Sequence, residues 1–503
     1  MPQFLHAGPV RVRYENGFLR YLTLKNVEVL RMVYFAIRDH NWLTARFVIY
    51  NEIVEETPDS FQIRYNWQID DLGIQMAGNV EVRGSSDGRI MFDFYGKALN
   101  SFQKNRIGLC VLHPIAGVLG QPVEVGSPDD RLTNGHFPTF ISPHQPFLAI
   151  KRLCWQPALG ISFQLDFSGD VFEMEDQRNW TDASFKTYST PLERPRPVMV
   201  LAGEEFRQQV TFSILNRESL APVAVTEPIV AEESDPIQTR PRIGVGQRAN
   251  GQPMDSTEAV LLKKLNLSHL RADVFFYLPD WQTRLTNAIS DAQQVNIPLE
   301  LAVFFGENPV DELQDLYQFL LPQSITVRHL LIFNAATLTT SDALLRAVVP
   351  MIRADWPDVL IGGGTDDNFA TLNRNRFNVD LVDFVTYSIN PQVHAFDDLT
   401  LLENIAGQAE TVLTAKHISG GKPIHISPVT LLPRYTTIAG TATERQATPA
   451  DPRQTTMFGA DWTRQSIDTL AKAGVASITY YESHGPAGLV SGDTTYPLYS
   501  VFE

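Results

Sequence analysis

Certain stretches of this chain have residue types and spacings suited to chemistry. Tyr480-Tyr481-Glu482-Ser483-His484-Gly485 sets a carboxyl group and an imidazole close together, a pair able to move a proton to or from a bound molecule. Leu270-Arg271-Ala272-Asp273 places a cation and an anion two residues apart, which on a strand is one face. Such a pair either lines a site or closes the end of a fold as an ion pair. Gly362–Asp367 ends a glycine-rich run in two carboxylates, Asp366 and Asp367; the glycines there either admit a ligand or relieve crowding. Glu173–Leu192 packs Glu173, Glu175, Asp176, Arg178, Asp182 and Lys186 between Phe172, Trp180, Phe185 and Tyr188. It reads either as a polar network pinning two layers or as one wall of a site. Both readings make it the joint of the molecule.

Bulk composition narrows the classes. At 503 residues, with 44% hydrophobic and 19% charged content, the chain has material for two or three globular domains. A net charge of -16 argues against a nucleic-acid surface. Two cysteines, Cys110 and Cys154, give neither a disulfide framework nor a metal knuckle. The N-terminus lacks a basic segment followed by an apolar one, and no apolar run reaches membrane length. The expectation is a soluble cytoplasmic protein with no membrane partner, in which the sequons at Asn179 and Asn266 are coincidental.

The elements that must hold these residues fall into two grammars. From Val10 to about Leu220, short alternating runs recur at Val10–Tyr14, Leu19–Leu22, Val27–Leu30, Phe47–Glu55, Ser60–Gln68, Ile74–Arg83, Ile90–Ala98 and Gly160–Asp166. Asn16-Gly17 and Asp87-Gly88 are hairpin signals between them. This predicts a large antiparallel β-sandwich. The histidines at His113, His136 and His144, each near a proline, either line a cleft or, the commoner case, satisfy loop backbones, and their spacing matches no metal motif. A Pro- and Glu-rich linker, Ala221–Arg242, follows. Then strand-like runs alternate with helical ones: Ile243–Gly246, Leu270–Phe276, Leu299–Phe305, His329–Phe333, Val359–Gly363, Phe384–Ser388, Pro423–Ser427 and Ala476–Tyr481. Asp255 and Glu258 stand at capping-box spacing before a helix whose apolar face would hold Val260, Leu261 and Leu265. Gly474 suits a helix C-terminus. Eight strand-then-helix units predict a (β/α)8 TIM barrel over 240–503, behind a sandwich over 1–235. A doubly wound sheet is disfavoured, because Gly244-Val245-Gly246 lacks the third glycine of a dinucleotide fingerprint.

Barrel chemistry gathers at the carboxyl ends of the strands. There the chain offers Gln247, Arg271, Asp273, Asn334, Thr365, Asp366, Asp367, Tyr387, Asn390, His394, Thr430, Arg434, Glu482 and His484. The barrel resembles the (β/α)8 glycosidase superfamily, whose members carry an Asn-Glu pair ending strand four and a second Glu ending strand seven. Here those ends read Asn334-Ala335 and His425-Ile426-Ser427-Pro428, so both carboxylates are absent. Retaining glycoside hydrolysis needs two carboxyl groups roughly 5 Å apart.

Over nearly its full length the chain more closely resembles the bacterial D-apionate lactonase family. The residues that carry this are Val29-Leu30-Arg31 with Arg38–Trp42, His113-Pro114 with Gly120–Val123, and above all Glu173–Leu192. In the barrel they are Leu270–Asp273, Gly363–Thr365 with Leu372–Arg374, Tyr387–Ala395 and Tyr480–Glu482. The resemblance implies an N-terminal β-domain, a TIM barrel and hydrolysis of a sugar-acid lactone. It also implies a small C-terminal β-domain, which this chain, ending at Glu503, does not show.

Opening a lactone needs one general base and donors for the oxyanion, not a second carboxylate. The expected base is Glu482 or Asp366. His394 would protonate the leaving alkoxide or hold the oxyanion with Asn334. Arg271, Asp273, Tyr387, Asn390 and Arg434 would bind substrate hydroxyls, with Glu175, Asp176, Arg178 and Lys186 reaching over from the β-domain. No cofactor is expected; Asp366, Asp367, His394 and Glu482 could ligate a divalent metal, but no spacing demands one. The expected partner is a small carbohydrate lactone, with no nucleic acid, and a homo-oligomer is left open. The alternatives are a glycoside hydrolase using Glu482 with Asp366, and a non-catalytic carbohydrate-binding barrel.

Overall fold

The computed structural model describes residues 2–157, 161–215, 240–435 and 447–503. It divides into two compact units. One holds the described residues up to Leu215 except Arg178–Ala183; the other holds Arg178–Ala183 and the described residues from Arg240 onward. Most of the predicted linker, Ala221–Arg242, lies outside the described residues.

The first unit is two nine-stranded sheets. The runs read from alternation are strands, some longer than expected: Val27–Asp39 continues nine residues past Leu30, and Phe102–Pro114 pairs beside it from Met32↔Leu112 to Asp39↔Lys104. In the facing sheet, Phe61–Asp71 alternates buried and more exposed positions along its length. Its Trp67 meets Phe35 of the other sheet at 5.1 Å and Phe94 of its own sheet at 5.5 Å between ring centroids. Each such buried aromatic contributes about 1.5–3 kcal/mol. Asn16 and Gly17, at φ 51° and 83°, form the tight turn that joins Val10–Glu15 to Phe18–Leu24.

Glu173–Leu192 carries two strands joined through the 3₁₀ turn Gln177–Trp180. Phe172–Asp176 and Ser184–Tyr188 are adjacent, fully buried strands, and the second pairs with Phe102–Pro114. The charges on these two strands are matched by near neighbours. Lys186 pairs with Glu175 at 2.7 Å, and Glu173 accepts from the Tyr188 hydroxyl and the Leu192 amide. Asp176 accepts from the Ser142 amide at 3.0 Å.

In the second unit, Arg242–Gly246, Leu270–Phe275, Leu299–Phe305, Val327–Asn334, Leu360–Asn368, Phe384–Ile389, Ile424–Val429 and Ser477–Glu482 form a closed parallel barrel in chain order. Leu299–Phe305 is buried at every position, as a strand covered on both faces must be. The capping box at Asp255 and Glu258 is present. The helix it starts buries Ala259 and Leu262, however, and leaves Val260 60% exposed, because its period sets the inward stripe one residue away from the predicted one. Seven strands are followed by α-helix. After the eighth, glycines at 485, 488 and 492 break the chain into a two-residue ladder and the 3₁₀ turn Pro497–Val501. Gly362–Asp367 settles the question its glycines raised. A Cβ at Gly362 would stand 2.3 Å from the Phe384 ring, and one at Gly364 1.8 Å from the Thr386 carbonyl oxygen. Their smallness relieves crowding between strands.

Among the described residues, no helix is long and apolar enough to cross a membrane.

Candidate active site

The second, fifth and seventh barrel strands start the site. Arg271, on the second barrel strand, donates through Nε to Asp273 at 2.9 Å, through Nη2 to Asp366 at 2.6 Å and through Nη1 to Ser427 at 3.0 Å. Arg434, beyond the seventh strand, binds the free oxygens of both Asp366 and Asp273. The result is a closed cycle of two guanidinium and two carboxylate groups. Arg271 is 2% exposed and Asp366 equally so. Burial alone would raise the Asp273 pKa, but Arg271 and Arg434 outweigh it and hold the carboxyl below its ordinary range. Tyr435 adds a third donor to Asp366, at 3.2 Å.

This cycle floors a cleft of about 310 Å³ whose walls include Gln247, Arg248, Tyr277, Thr430, Asp451 and Glu482. Glu482 enters through a bulge. Val245 pairs with Tyr480 and the next residue, Gly246, pairs with Glu482, so Tyr481 is the extra residue, at φ 48°. A bulge re-aims the side chain after it. Burial raises the Glu482 pKa, with Asp273 adding to the rise; the Ala249 amide, Arg248 and Arg434 pull it down without cancelling it. The arrangement therefore offers one proton-accepting carboxylate beside fixed cations.

The expected site residues are divided by the structure. Glu482, Arg271, Asp273 and Arg434 line the cleft, and Asp366 lies beneath it with both oxygens taken. Asp366 accepts from both arginines and so holds them in place.

The others are elsewhere. His394 bonds through Nδ1 to Asp182 at 2.6 Å, with Trp180 against its ring, and is not among the cleft residues. Asn334 accepts the Ala336 and Thr337 amides of its own turn. Tyr387 is buried with its hydroxyl on Thr411, and Asn390 donates to Asn368. Arg178 is buried against Glu410 at 2.8 Å. Glu175, Asp176 and Lys186 belong to the matched network of the first unit. Asp366, Asp367, His394 and Glu482 do not converge as metal ligands: Asp367 accepts from Thr371, and His394 sits on Asp182. His484 turns from the cleft toward Ser483, at 3.0 Å.

Arg248 and Tyr435 were missed. Each follows a strand-end residue that was read, Gln247 and Arg434, so the signal was adjacency alone.

A β-sandwich unit joined in sequence to a closed (β/α)8 barrel with an acid in its mouth defines a barrel protein of the hydrolase-bearing type. The chain belongs to the D-apionate lactonase family: residues 1–217 match the family's N-terminal domain and residues 243–503 its TIM barrel domain. A D-apionate lactonase of Brucella anthropi is 28% identical over 523 residues, covering 98% of this chain and 84% of that protein. Among solved structures, a GH30 endoxylanase from Clostridium papyrosolvens is similar over 52% of this chain and 71% of its own, at 10% identity and a TM-score of 0.34. An α-galactosidase from Lactobacillus brevis is similar over 95% and 76%, at 10% identity and a TM-score of 0.28.

Proposed function

We propose that this protein hydrolyses a sugar-acid lactone, D-apionolactone or a close aldonolactone, to the aldonate, acting in the cytoplasm, with Glu482 as general base. The observation that carries the reading is a single carboxylate of raised pKa in a cleft lined by cations. The family relationship to a D-apionate lactonase supports the substrate class.

In the reaction, Glu482 takes a proton from water as the water oxygen bonds to the lactone carbonyl carbon. The carbonyl oxygen becomes an oxyanion, which Arg434 and Arg248 are placed to stabilise. Collapse of the intermediate breaks the ring C–O bond, and Glu482 returns its proton to the leaving alkoxide. The product acid then ionises to the aldonate. A raised pKa suits a group that must both accept and return the proton. Arg271, Asp273 and Asp366 keep Arg434 in place. The faces of Phe275, Tyr277 and Tyr435 suit the apolar side of a sugar ring.

The glycosidase alternative needs Glu482 and Asp366 as a working pair, and Asp366 is committed to two arginines. Acid release from a panel of aldonolactones, D-apionolactone included, tests the reading beside aryl glycosides. Lactone turnover above the spontaneous rate with silent glycosides is expected. Glycoside cleavage would overturn it, and silence on both with retained sugar binding would favour a non-catalytic barrel.

A further inference from the structure

Below the cleft, the barrel interior carries a second polar cluster that the proposed chemistry does not use. Glu300, His329 and His425 stand on the third, fourth and seventh strands and are 0%, 0% and 4% exposed. One ligand atom from each lies within 4.8 Å of the others. Among the described residues this is the group of three His, Cys, Asp or Glu side chains so placed.

Hydrogen bonding leaves the cluster unfinished. His329 Nδ1 lies 3.1 Å from Glu300 Oε2, which fixes the ring, yet His329 Nε2 and His425 Nδ1 have no hydrogen-bond partner. The two rings stand edge to face with centroids 4.8 Å apart, and Phe384 stacks on His425 at 3.8 Å. Phe384 fits only because residue 362 is glycine. Buried polar atoms are nearly always satisfied, and the orphan His425 Nδ1, in a cluster with a carboxylate and a second imidazole, calls for a partner the cluster does not itself supply. Two imidazoles and a carboxylate are the donor set of a borderline divalent ion, and the neighbours that orient each ligand are already in place.

We propose that Glu300, His329 and His425 bind one divalent transition ion inside the barrel, zinc being the chemical match. Zinc–ligand bonds of about 2.0–2.2 Å would require small ring and carboxylate movements to draw the donors together. His269, whose Nε2 is 3.9 Å from Glu300 Oε1, is held by Ser268 and Thr479 and borders the cluster rather than joining it. The ion would be structural, since none of the three residues lines the cleft. Its effect would reach the cleft through Glu300, which accepts from Ser427 at 2.5 Å, while Ser427 accepts from Arg271.

The test uses the full chain without a metal-binding tag and is independent of lactone turnover. Protein stripped with a strong chelator is incubated with Zn(II), desalted, and its metal content measured by mass spectrometry. About one equivalent is expected, with a raised melting temperature and, with Co(II) in place of zinc, the visible bands of low-coordinate cobalt. His425→Gln and Glu300→Gln should lose both the metal and the melting shift. Folded wild-type protein that retains no zinc and gives no cobalt bands would overturn the proposal, as would a folded His425→Gln variant that keeps its metal. Should both variants fail to fold, the wild-type stoichiometry still decides.

Discussion

Glu482 is where proton transfer and fold stability pull in opposite directions. Removing its charge by Glu482→Gln should lower kcat for lactone hydrolysis by about 10²–10⁴-fold, the usual span for a general base. Because burial raises its pKa, the base form is lost as pH falls through a value above the ordinary carboxylate range. A kcat/KM profile should therefore rise with pH through that shifted value, and a profile with only an unshifted carboxylate limb would count against Glu482. Stability has the opposite sign. The contribution tied to this proton is complete below the unfolded pKa and is lost as pH rises through the folded one. Glu482→Gln should thus melt at or above the wild-type temperature at pH 8 while being nearly inactive, which a thermal melt beside the kinetics would check.

At the scale of elements, the Arg271–Asp273–Arg434–Asp366 cycle ties the second, fifth and seventh strand ends together. Arg271→Met would leave Asp366 and Asp273 buried with one of their two arginines gone, a defect worth about 3–5 kcal/mol, so a large drop in the urea midpoint is expected. Arg434 binds two carboxylates through one planar fork, which an ammonium cannot reproduce. Arg434→Lys should lower kcat/KM by about tenfold or more. His394 makes a contrasting case. Its partners are Asp182 and Trp180, away from the cleft lining, so His394→Ala should leave kcat/KM within about threefold of wild type. A loss comparable to that of Glu482→Gln would place the chemistry elsewhere. Glu482 and His484, both read at this strand end, part ways because the eighth strand ends at Glu482 and His484 lies beyond it, bridged to Val490.

For the whole molecule, acid sensitivity should come partly from histidines buried without charge. His113 is fully buried with Thr187 on one nitrogen, and burial lowers its pKa to about 3. A depressed histidine stabilises the fold above the unfolded pKa and withdraws that support as pH falls toward the folded one. This group alone should contribute a slope of about 1.4 kcal/mol per pH unit between roughly pH 6 and 4. Urea titrations across that range should show a shallower slope for His113→Gln.

The sequence by itself determined the two grammars: period-two alternation for the sandwich, and strand-then-helix alternation whose runs became all eight barrel strands. These are local signals, set by which face of each element must leave water. It also determined that Asn334-Ala335 and Ser427 stand where two glutamates would be needed, and that Glu482, Arg271, Asp273 and Arg434 share one barrel mouth. Tertiary structure alone decided which polar residues meet. Glu175 and Lys186 satisfy each other inside a sheet, His394 faces Asp182 from more than two hundred residues away in sequence, and Glu300 joins His329 and His425 across the barrel interior. Pairing across that distance depends on strand register and on single-residue bulges, and neither leaves a mark in local sequence periodicity.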